Sequence, residues 1–190
     1  MPSATPARRV LVLGGARSGK SGFAERLLAG RSGVVYAATA PHYAGDVEWD
    51  ERVARHKAQR PQTWTTVEVG DAPEQLAALL RAADQRPLLV DSLTLWLTTV
   101  MDAVDAWDDA AWRAGPGRRR LAALTDDLGA AFAGAARDVV VVSDEVGFGL
   151  VPQTAGTRRF RDGLGRLNQS FAAAADTVSL VVAGLEMRLK

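Results

Sequence analysis

The sequence of 190 residues contains no cysteine and only two histidines. The lack of cysteine excludes a disulfide framework, a thiolate zinc site and a cysteine nucleophile. No apolar run approaches the roughly 20 residues of a membrane span, and the opening segment MPSATPARR lacks the apolar stretch of a secretion signal. We therefore expect a cytoplasmic protein without a membrane span.

An excess of either charge is also missing, since 23 Lys and Arg face 22 Asp and Glu for a formal net charge of +1. No global field attracts nucleic acid or an anionic lipid surface, so no nucleic-acid partner is predicted. A chain of this length can bury one substantial core. We expect residues 1–8 to be a flexible lead-in and residues 9–190 to form one domain.

Short apolar segments rich in valine and leucine alternate with helical patterns along the chain. Strands are predicted at Arg9–Leu13, Val34–Thr39, Thr63–Val69, Leu88–Asp91, Val139–Ser143, Val178–Ala183 and, at an edge, Met187–Leu189. Helices are predicted at Ser21–Ala29, Val47–Lys57, Pro73–Ala83, Leu93–Val104, Arg118–Arg137 and Thr157–Ala175. The most loop-like interior segment is RAGPGRRR, residues 113–120, in which a Gly-Pro-Gly turn precedes the helix at Arg118. Buried strands separated by helices indicate an α/β fold with a mostly parallel sheet covered on both faces.

The stretch GGARSGKS, Gly14–Ser21, fits the pattern G-x-x-x-x-G-K-[ST] and lies between a predicted strand and a predicted helix. Its glycines let successive backbone N–H groups face one anion, and the helix N-terminus adds partial positive charge. Lys20 is predicted to bind the outer phosphates of a nucleoside triphosphate, and the Ser21 hydroxyl is predicted to bind Mg²⁺. A glycine-rich turn without a ligand is the competing interpretation. The motif in this context predicts a single P-loop domain of the RecA-like type.

A second Mg²⁺ ligand is expected where an apolar strand ends, and Asp91 follows Leu88–Val90 at such a place. The alternative is that Asp91 or Ser92 caps the helix that begins near Leu93, and both roles can coexist. Glu145 also follows an apolar strand and competes for the metal role.

The two histidines lie in different contexts. His42 stands in a turn-like segment and is interpreted as an exposed loop residue. His56 stands on a predicted helix beside Lys57 and Arg60. Composition alone favours a solvated helix end whose basic residues oppose the helix dipole. The alternative is a nucleophile toward an activated phosphate, with the nearby cations neutralising phosphate charge.

Several segments occur in an order that resembles one family. They are GGARSGKS, YAAT, RVARHKAQRP, VDSLTLWL, DEVGFGLVP and RRFRDGLGRLNQSFAAAAD. Together they resemble the bifunctional adenosylcobinamide kinase / adenosylcobinamide-phosphate guanylyltransferase family of cobalamin biosynthesis, from about Val10 to Lys190. The resemblance implies that ATP or GTP phosphorylates adenosylcobinamide, and that GTP then guanylylates the product to adenosylcobinamide-GDP with release of pyrophosphate.

The same resemblance assigns roles to individual residues. It implies that His56 is the catalytic nucleophile that forms a covalent GMP–histidine intermediate, that Lys20 is catalytic, and that Ser21 and Asp91 hold the metal. The implied nucleotide contacts are Gly14, Gly15, Ala16, Arg17, Ser18, Gly19, Lys20, Ser21, Thr39, Ala40, Pro41, Lys57, Ala58, Gln59, Arg60, Glu68 and Asp91. The implied cofactors are GTP, ATP and Mg²⁺, and the implied partners are adenosylcobinamide and its phosphate, bound by a homotrimer.

Three positions depart from the family pattern, with Ser92 in place of cysteine and with Thr99 and Asp144 in place of asparagine. Asp144 adds a negative charge beside Glu145, which bears on metal or cobinamide contacts. Two other functions stay open from the sequence: a P-loop regulatory protein without transferase activity, and a transferase that keeps only one of the two reactions. The absence of an N-K-x-D segment argues against a regulatory GTPase.

Overall fold

A computed structural model describes residues 8–41, 45, 54 and 60–190, and in these ranges it contains seven strands and six helices. The strands are β1 (Arg9–Gly14), β2 (Val35–Ala38), β3 (Thr65–Glu68), β4 (Leu88–Asp91), β5 (Val139–Asp144), β6 (Thr177–Val182) and β7 (Leu185–Arg188). The helices are α1 (Lys20–Leu27), α2 (Gln75–Arg81), α3 (Leu93–Ala103), α4 (Asp109–Ala114), α5 (Pro116–Ala133) and α6 (Ala155–Ala174). The helix predicted at Val47–Lys57 lies outside the described residues.

The seven strands form one sheet in the order β3-β2-β4-β5-β1-β6-β7. All neighbouring strands are parallel except β7, which pairs antiparallel with β6 at the edge. The register places Glu68, Ala38 and Asp91 level with one another, and it places Gly14 level with Asp144. The carboxyl ends of five strands therefore meet at one edge, which is where open parallel sheets bind ligands.

One face of the sheet is covered by α2, α3, α5 and α6. Alternate strand residues such as Leu11, Leu88 and Val141 point to this face because successive side chains of a strand point to opposite sides. Phe132 of α5 and Phe171 of α6 stack there with ring centroids 4.5 Å apart. This larger cluster holds the four helices in place behind the ligand-binding edge.

The other face of the sheet is covered by α1, through Ala24 and Leu28. The intervening strand residues, among them Val12, Tyr36 and Val142, pack against this helix. The mostly parallel α/β fold with helices on both faces is therefore confirmed, and α1 is held against the strand that precedes it.

The Gly-Pro-Gly turn predicted before Arg118 is present only at its first residue, because Pro116 and Gly117 already belong to α5. The chain leaves α4 at Ala114, reverses at Gly115, whose φ is 92°, and begins α5 at Pro116. Proline is favoured in a first helical turn because its missing N–H would have no partner there. The sequence did not predict α4 because none of its residues is buried, so the apolar period of a helix is absent. Within the described ranges, no helix has both the length and the apolar character that crossing a membrane requires.

Candidate functional site

The phosphate loop, residues 14–21, connects β1 to α1 at the carboxyl edge of the sheet. Arg17 with a φ of 59° and Gly19 with a φ of 91° lie in the left-handed region, so the backbone reverses direction within the loop. Gly19 is the N-cap of α1 and has no side chain with which to cap it. The first N–H groups of α1 therefore lack intrahelical partners, which is the arrangement that binds a phosphate group.

The loop packs closely against the turn between β6 and β7. A Cβ on Gly14 would lie 2.4 Å from Ser18 Oγ and 2.7 Å from the Val181 carbonyl oxygen, so this position has no room for a side chain. The Gly184 N–H donates a hydrogen bond of 2.8 Å to the Ser18 carbonyl. Sequence reasoning missed this supporting turn, although a glycine directly after an apolar strand was a signal for it.

Lys20, the first residue of α1, forms an ion pair across the loop. Its Nζ lies 2.6 Å from Oδ1 of Asp144 at the end of β5, and it also donates a 3.3 Å hydrogen bond to the Gly15 carbonyl. The side chains of Lys20 and Asp144 are 13% and 22% exposed, so the pair is largely shielded from solvent. The strand order creates this contact, because β5 lies directly beside β1.

The backbone at Asp144 is anchored from two other elements. Its N–H donates a 2.9 Å hydrogen bond to Thr94 Oγ1 of α3. Its carbonyl accepts a 3.0 Å hydrogen bond from Nδ2 of Asn168 on α6, whose Oδ1 accepts one from the Ser143 hydroxyl. The N–H of Glu145 donates to the Gly14 carbonyl at 3.1 Å. The position of the Asp144 backbone is therefore set by the sheet and two helices.

Asp91, the other predicted acid, lies at the end of β4 and accepts a 2.8 Å hydrogen bond from the Tyr36 hydroxyl. Ser92 caps α3, since its Oγ accepts from the Leu95 N–H. The buried Thr39 hydroxyl lies 2.7 Å from both the Ser92 N–H, from which it accepts, and the Ser92 carbonyl, to which it donates. Capping by Ser92 leaves the Asp91 carboxylate available for another role.

Charged groups gather around the buried ring of Tyr36. The guanidinium carbon of Arg60 lies 3.3 Å from the ring centroid, a cation–π contact. Burial raises the pKa of Glu25 on α1, and the charge of Asp91 raises it further, while Arg60 opposes this. Burial and the neighbouring Asp91 also raise the pKa of Tyr36, so its hydroxyl keeps its proton at neutral pH. Arg60 and Glu25 thus join the edge that holds Asp91.

Glu145, the competing acid, is turned toward its own loop. Its Oε1 accepts a 2.6 Å hydrogen bond from the Gly147 N–H. Farther along, the Arg158 guanidinium donates to the carbonyls of Pro152 and Gln153, and the Arg161 guanidinium donates to a carbonyl of the same loop. This geometry favours Asp91 over Glu145 as the acid available to a metal.

The donor set at this edge suits a cation that takes few ligands from the protein. In the described part of the chain, no group of three or more His, Cys, Asp or Glu side chains could hold a metal ion. Mg²⁺ is commonly bound by one or two protein oxygens together with substrate phosphates and water. The Ser21 hydroxyl and the Asp91 carboxylate, both hard oxygen donors, fit that pattern.

The remaining predicted site residues divide into three groups. Thr39 and Glu68 lie at the same edge as Asp91. Ala40 and Pro41 pack against the backbone of Gly70, where a Cβ would lie 1.9 Å from the Ala40 carbonyl oxygen. Four further predicted residues, His56, Lys57, Ala58 and Gln59, lie outside the described residues.

A surface depression of about 540 Å³ lies elsewhere, lined by residues 30–32 and 84–87. The Val35 N–H donates to the Pro87 carbonyl where β2 and β4 begin, so this depression is at the amino ends of the strands. It therefore lies at the opposite end of the strands from the phosphate loop and takes no part in the site.

Comparison with known families and curated proteins gives one consistent result. A profile of the family described as cobinamide kinase / cobinamide phosphate guanyltransferase matches residues 10–189. The bifunctional adenosylcobalamin biosynthesis protein CobP of Pseudomonas aeruginosa is 42% identical over 184 residues, which cover 96% of this chain and 97% of that protein. The bifunctional adenosylcobalamin biosynthesis protein CobU of Salmonella typhimurium is 37% identical over 190 residues, which cover 95% and 99%.

Solved structures of similar fold are ATPases with little sequence similarity to this chain. An ATPase from the type III secretion system of pathogenic bacteria has a TM-score of 0.55 at 12% identity. The match covers 97% of this chain and 57% of the ATPase chain. The ATPase EscN of enteropathogenic E. coli has a TM-score of 0.55 at 14% identity, covering 93% and 43%. This chain thus spans about half of each ATPase, and the likeness establishes the P-loop fold alone.

Proposed function

Since this chain belongs to the cobinamide kinase / cobinamide phosphate guanyltransferase family, we propose that it catalyses both reactions at one phosphate loop. The observation that carries the proposal is the complete loop, residues 14–21, folded between β1 and α1 in a chain that the family profile matches from residue 10 to residue 189. Adenosylcobinamide and its phosphate are the acceptors, ATP or GTP is the donor of the first reaction, and GTP is the donor of the second.

In the kinase reaction, the acceptor hydroxyl attacks the γ-phosphorus of the donor. The bond between the γ-phosphorus and the bridging oxygen breaks, the nucleoside diphosphate leaves and the hydroxyl proton is released. The loop N–H groups and Lys20 hold the β- and γ-phosphates and neutralise the charge that grows on the bridging oxygen. The partial positive charge at the start of α1 acts in the same direction.

In the guanylyltransferase reaction, a ring nitrogen of His56 attacks the α-phosphorus of GTP and pyrophosphate leaves. A phosphate oxygen of adenosylcobinamide phosphate then attacks the same phosphorus, the nitrogen–phosphorus bond breaks, and adenosylcobinamide-GDP is released. Two displacements on an activated phosphate replace one difficult displacement. The loop contributes to the first displacement by holding the departing pyrophosphate.

The Ser21 hydroxyl and the Asp91 carboxylate would hold Mg²⁺ between them and the phosphates. When bound, Mg²⁺ would neutralise phosphate charge during both reactions. The Tyr36 hydroxyl orients the Asp91 carboxylate through its 2.8 Å hydrogen bond. Beyond the loop and Asp91, the described residues that the proposal assigns to the nucleotide are Thr39, Ala40, Pro41, Arg60 and Glu68.

Three further predictions accompany this proposal. The homotrimer rests on the resemblance, the cytoplasmic location rests on the sequence composition, and the single domain over residues 9–190 rests on the chain length. All three remain predictions.

One experiment separates the proposed function from its alternatives. Purified protein is incubated with adenosylcobinamide, Mg²⁺ and GTP, and the corrinoid products are resolved by liquid chromatography and mass spectrometry. Both adenosylcobinamide phosphate and adenosylcobinamide-GDP should form. A regulatory protein would yield neither product, and a transferase with one activity would either stop at the phosphate or require it as its starting material.

A further inference from the structure

We infer that Asp144 is a positioning residue that holds Lys20 away from the phosphates until a nucleoside triphosphate displaces it. The inference rests on the proposed function in one respect only, which is that the loop binds a triphosphate. It concerns a carboxylate that neither proposed reaction uses, and the effect of that carboxylate on the affinity for nucleotide.

The geometry carries the first step. Lys20 Nζ lies 2.6 Å from Asp144 Oδ1, and the shielding of both side chains strengthens their attraction. The same ammonium is the group with which a loop of this type binds the outer phosphates. One ammonium cannot stay against the carboxylate and also bind the phosphates fully, so the two anions compete for it.

The anchoring of Asp144 decides which partner moves. Its N–H is bound by Thr94 and its carbonyl by Asn168, so its backbone is fixed to α3 and α6. Lys20 by contrast has four rotatable bonds in its side chain and a second, weaker contact to the Gly15 carbonyl. Triphosphate binding therefore draws the lysine away from an acid whose backbone is held in place, and the carboxylate remains near the phosphates as an uncompensated charge.

Both effects of Asp144 lower the affinity for the triphosphate. Breaking the ion pair reduces the affinity for the triphosphate, and the remaining negative charge repels the phosphates. Replacing Asp144 by asparagine keeps the shape of the side chain and removes both costs. Tighter nucleotide binding on loss of an acidic residue is the opposite of what a structural role or a metal-ligand role predicts.

The test measures the affinity for a GTP analogue with a methylene bridge between the α- and β-phosphates, which cannot release pyrophosphate. Its Kd is measured by isothermal titration calorimetry for wild type and Asp144→Asn, with Mg²⁺ and separately with a chelator. Asp144→Asn should lower the Kd about fivefold in both conditions. A Kd that is unchanged or higher in the variant would overturn the inference, and a rise seen only with Mg²⁺ would make Asp144 a metal ligand instead.

A matched control removes the same charge elsewhere. Asp127 pairs with Arg81 between α2 and α5, so Asp127→Asn changes the net charge equally without touching the loop. Its Kd for the analogue should equal that of wild type. An equal fall in both variants would show that overall charge, and not the Lys20 pair, sets the affinity, which contradicts the inference.

A double-mutant cycle asks whether Asp144 acts through Lys20. In a Lys20→Met background, Asp144→Asn should lower the Kd by only about twofold, because the ion pair is gone and only the repulsion between the carboxylate and the phosphates remains. An undiminished fivefold effect in that background would overturn the claim that Asp144 acts through the lysine.

A measurement on wild type covers the case in which Asp144→Asn does not fold. The chain contains three lysines, Lys20, Lys57 and Lys190, so the ¹⁵Nζ spectrum is simple and Lys20 is assigned from Lys20→Met. Adding the analogue should shift the Lys20 signal as it exchanges a carboxylate for phosphate, and an unshifted signal contradicts the inference. Wild-type protein that binds no nucleotide at all would remove the proposed function as well.

Discussion

The hydroxyl of Tyr36 donates a 2.8 Å hydrogen bond to Oδ2 of Asp91 and so connects β2 to the carboxyl end of the neighbouring strand β4. Tyr36 is 3% exposed, and burial together with the Asp91 charge raises the pKa of its hydroxyl. The tyrosine therefore remains a proton donor at neutral pH and orients the carboxylate beside the phosphate loop.

This relationship predicts different metal dependence for two variants. Tyr36→Phe keeps the Asp91 carboxylate but loses its orienting donor, so the Mg²⁺ concentration that half-activates the kinase reaction should rise about tenfold. Asp91→Asn removes the charged ligand and should raise that concentration further. Titrating Mg²⁺ in the kinase assay measures both, and an Asp91→Asn enzyme with the wild-type Mg²⁺ dependence would exclude Asp91 as a ligand.

Two adjacent glycines of the loop should respond very differently to alanine. Gly14→Ala places a Cβ 2.4 Å from Ser18 Oγ and 2.7 Å from the Val181 carbonyl, and such overpacking should lower the free energy of unfolding by about 1–3 kcal/mol. Gly15→Ala meets no atom within 4 Å and should keep the wild-type unfolding free energy. Urea denaturation followed by circular dichroism compares the two, and equal stability of the two variants would contradict the packing described here.

Some elements of this fold were predictable because their signal lies within one short stretch of the sequence. The strand Leu88–Asp91 is a short apolar run bounded by turn signals, and the structure gives it the same bounds. The phosphate loop was equally clear because its motif is complete between a strand and a helix. The helix predicted at Leu93–Val104 is also confirmed, since the structure has it at Leu93–Ala103 with Trp96 and Leu97 buried.

Relationships that depend on strand order were not predictable. Lys20 meets Asp144 only because β5 is inserted beside β1, and Tyr36 meets Asp91 only because β2 lies beside β4. Neither neighbour is close in sequence, and nothing local in either segment specifies the order of the strands. The turn before α5 is shorter than predicted, because the single left-handed residue Gly115 separates two helices where a Gly-Pro-Gly turn was expected.

Lys20→Ala should weaken both reactions, because both use a triphosphate held by the same loop. Loss of a charge-assisted hydrogen bond should reduce kcat/KM for the nucleotide about tenfold or more in each reaction. The kinase rate and the formation of adenosylcobinamide-GDP from adenosylcobinamide phosphate are measured separately. If only one of them falls, the two reactions use separate nucleotide sites.

Glu25 gives the stability a defined pH dependence. Burial raises its pKa above the usual 4.5, so the folded protein binds the Glu25 proton more tightly than the unfolded chain does. The unfolding free energy of wild type should therefore fall relative to Glu25→Gln as pH rises from the unfolded pKa to the folded pKa, and the difference should level off above it. Thermal unfolding of both proteins across this range checks the sign. A wild-type unfolding free energy that increases relative to that of Glu25→Gln as pH rises would contradict this sign.

The most direct test of the proposed two-step chemistry follows the α-phosphorus of GTP. Protein incubated with GTP labelled with ³²P at the α-position is denatured, freed of nucleotide and counted. Wild type should retain label that acid releases, as a nitrogen–phosphorus bond requires, while His56→Ala, with its folding checked by circular dichroism, should retain none. Label that stays on His56→Ala would contradict the account, because the GMP would then be carried by another residue.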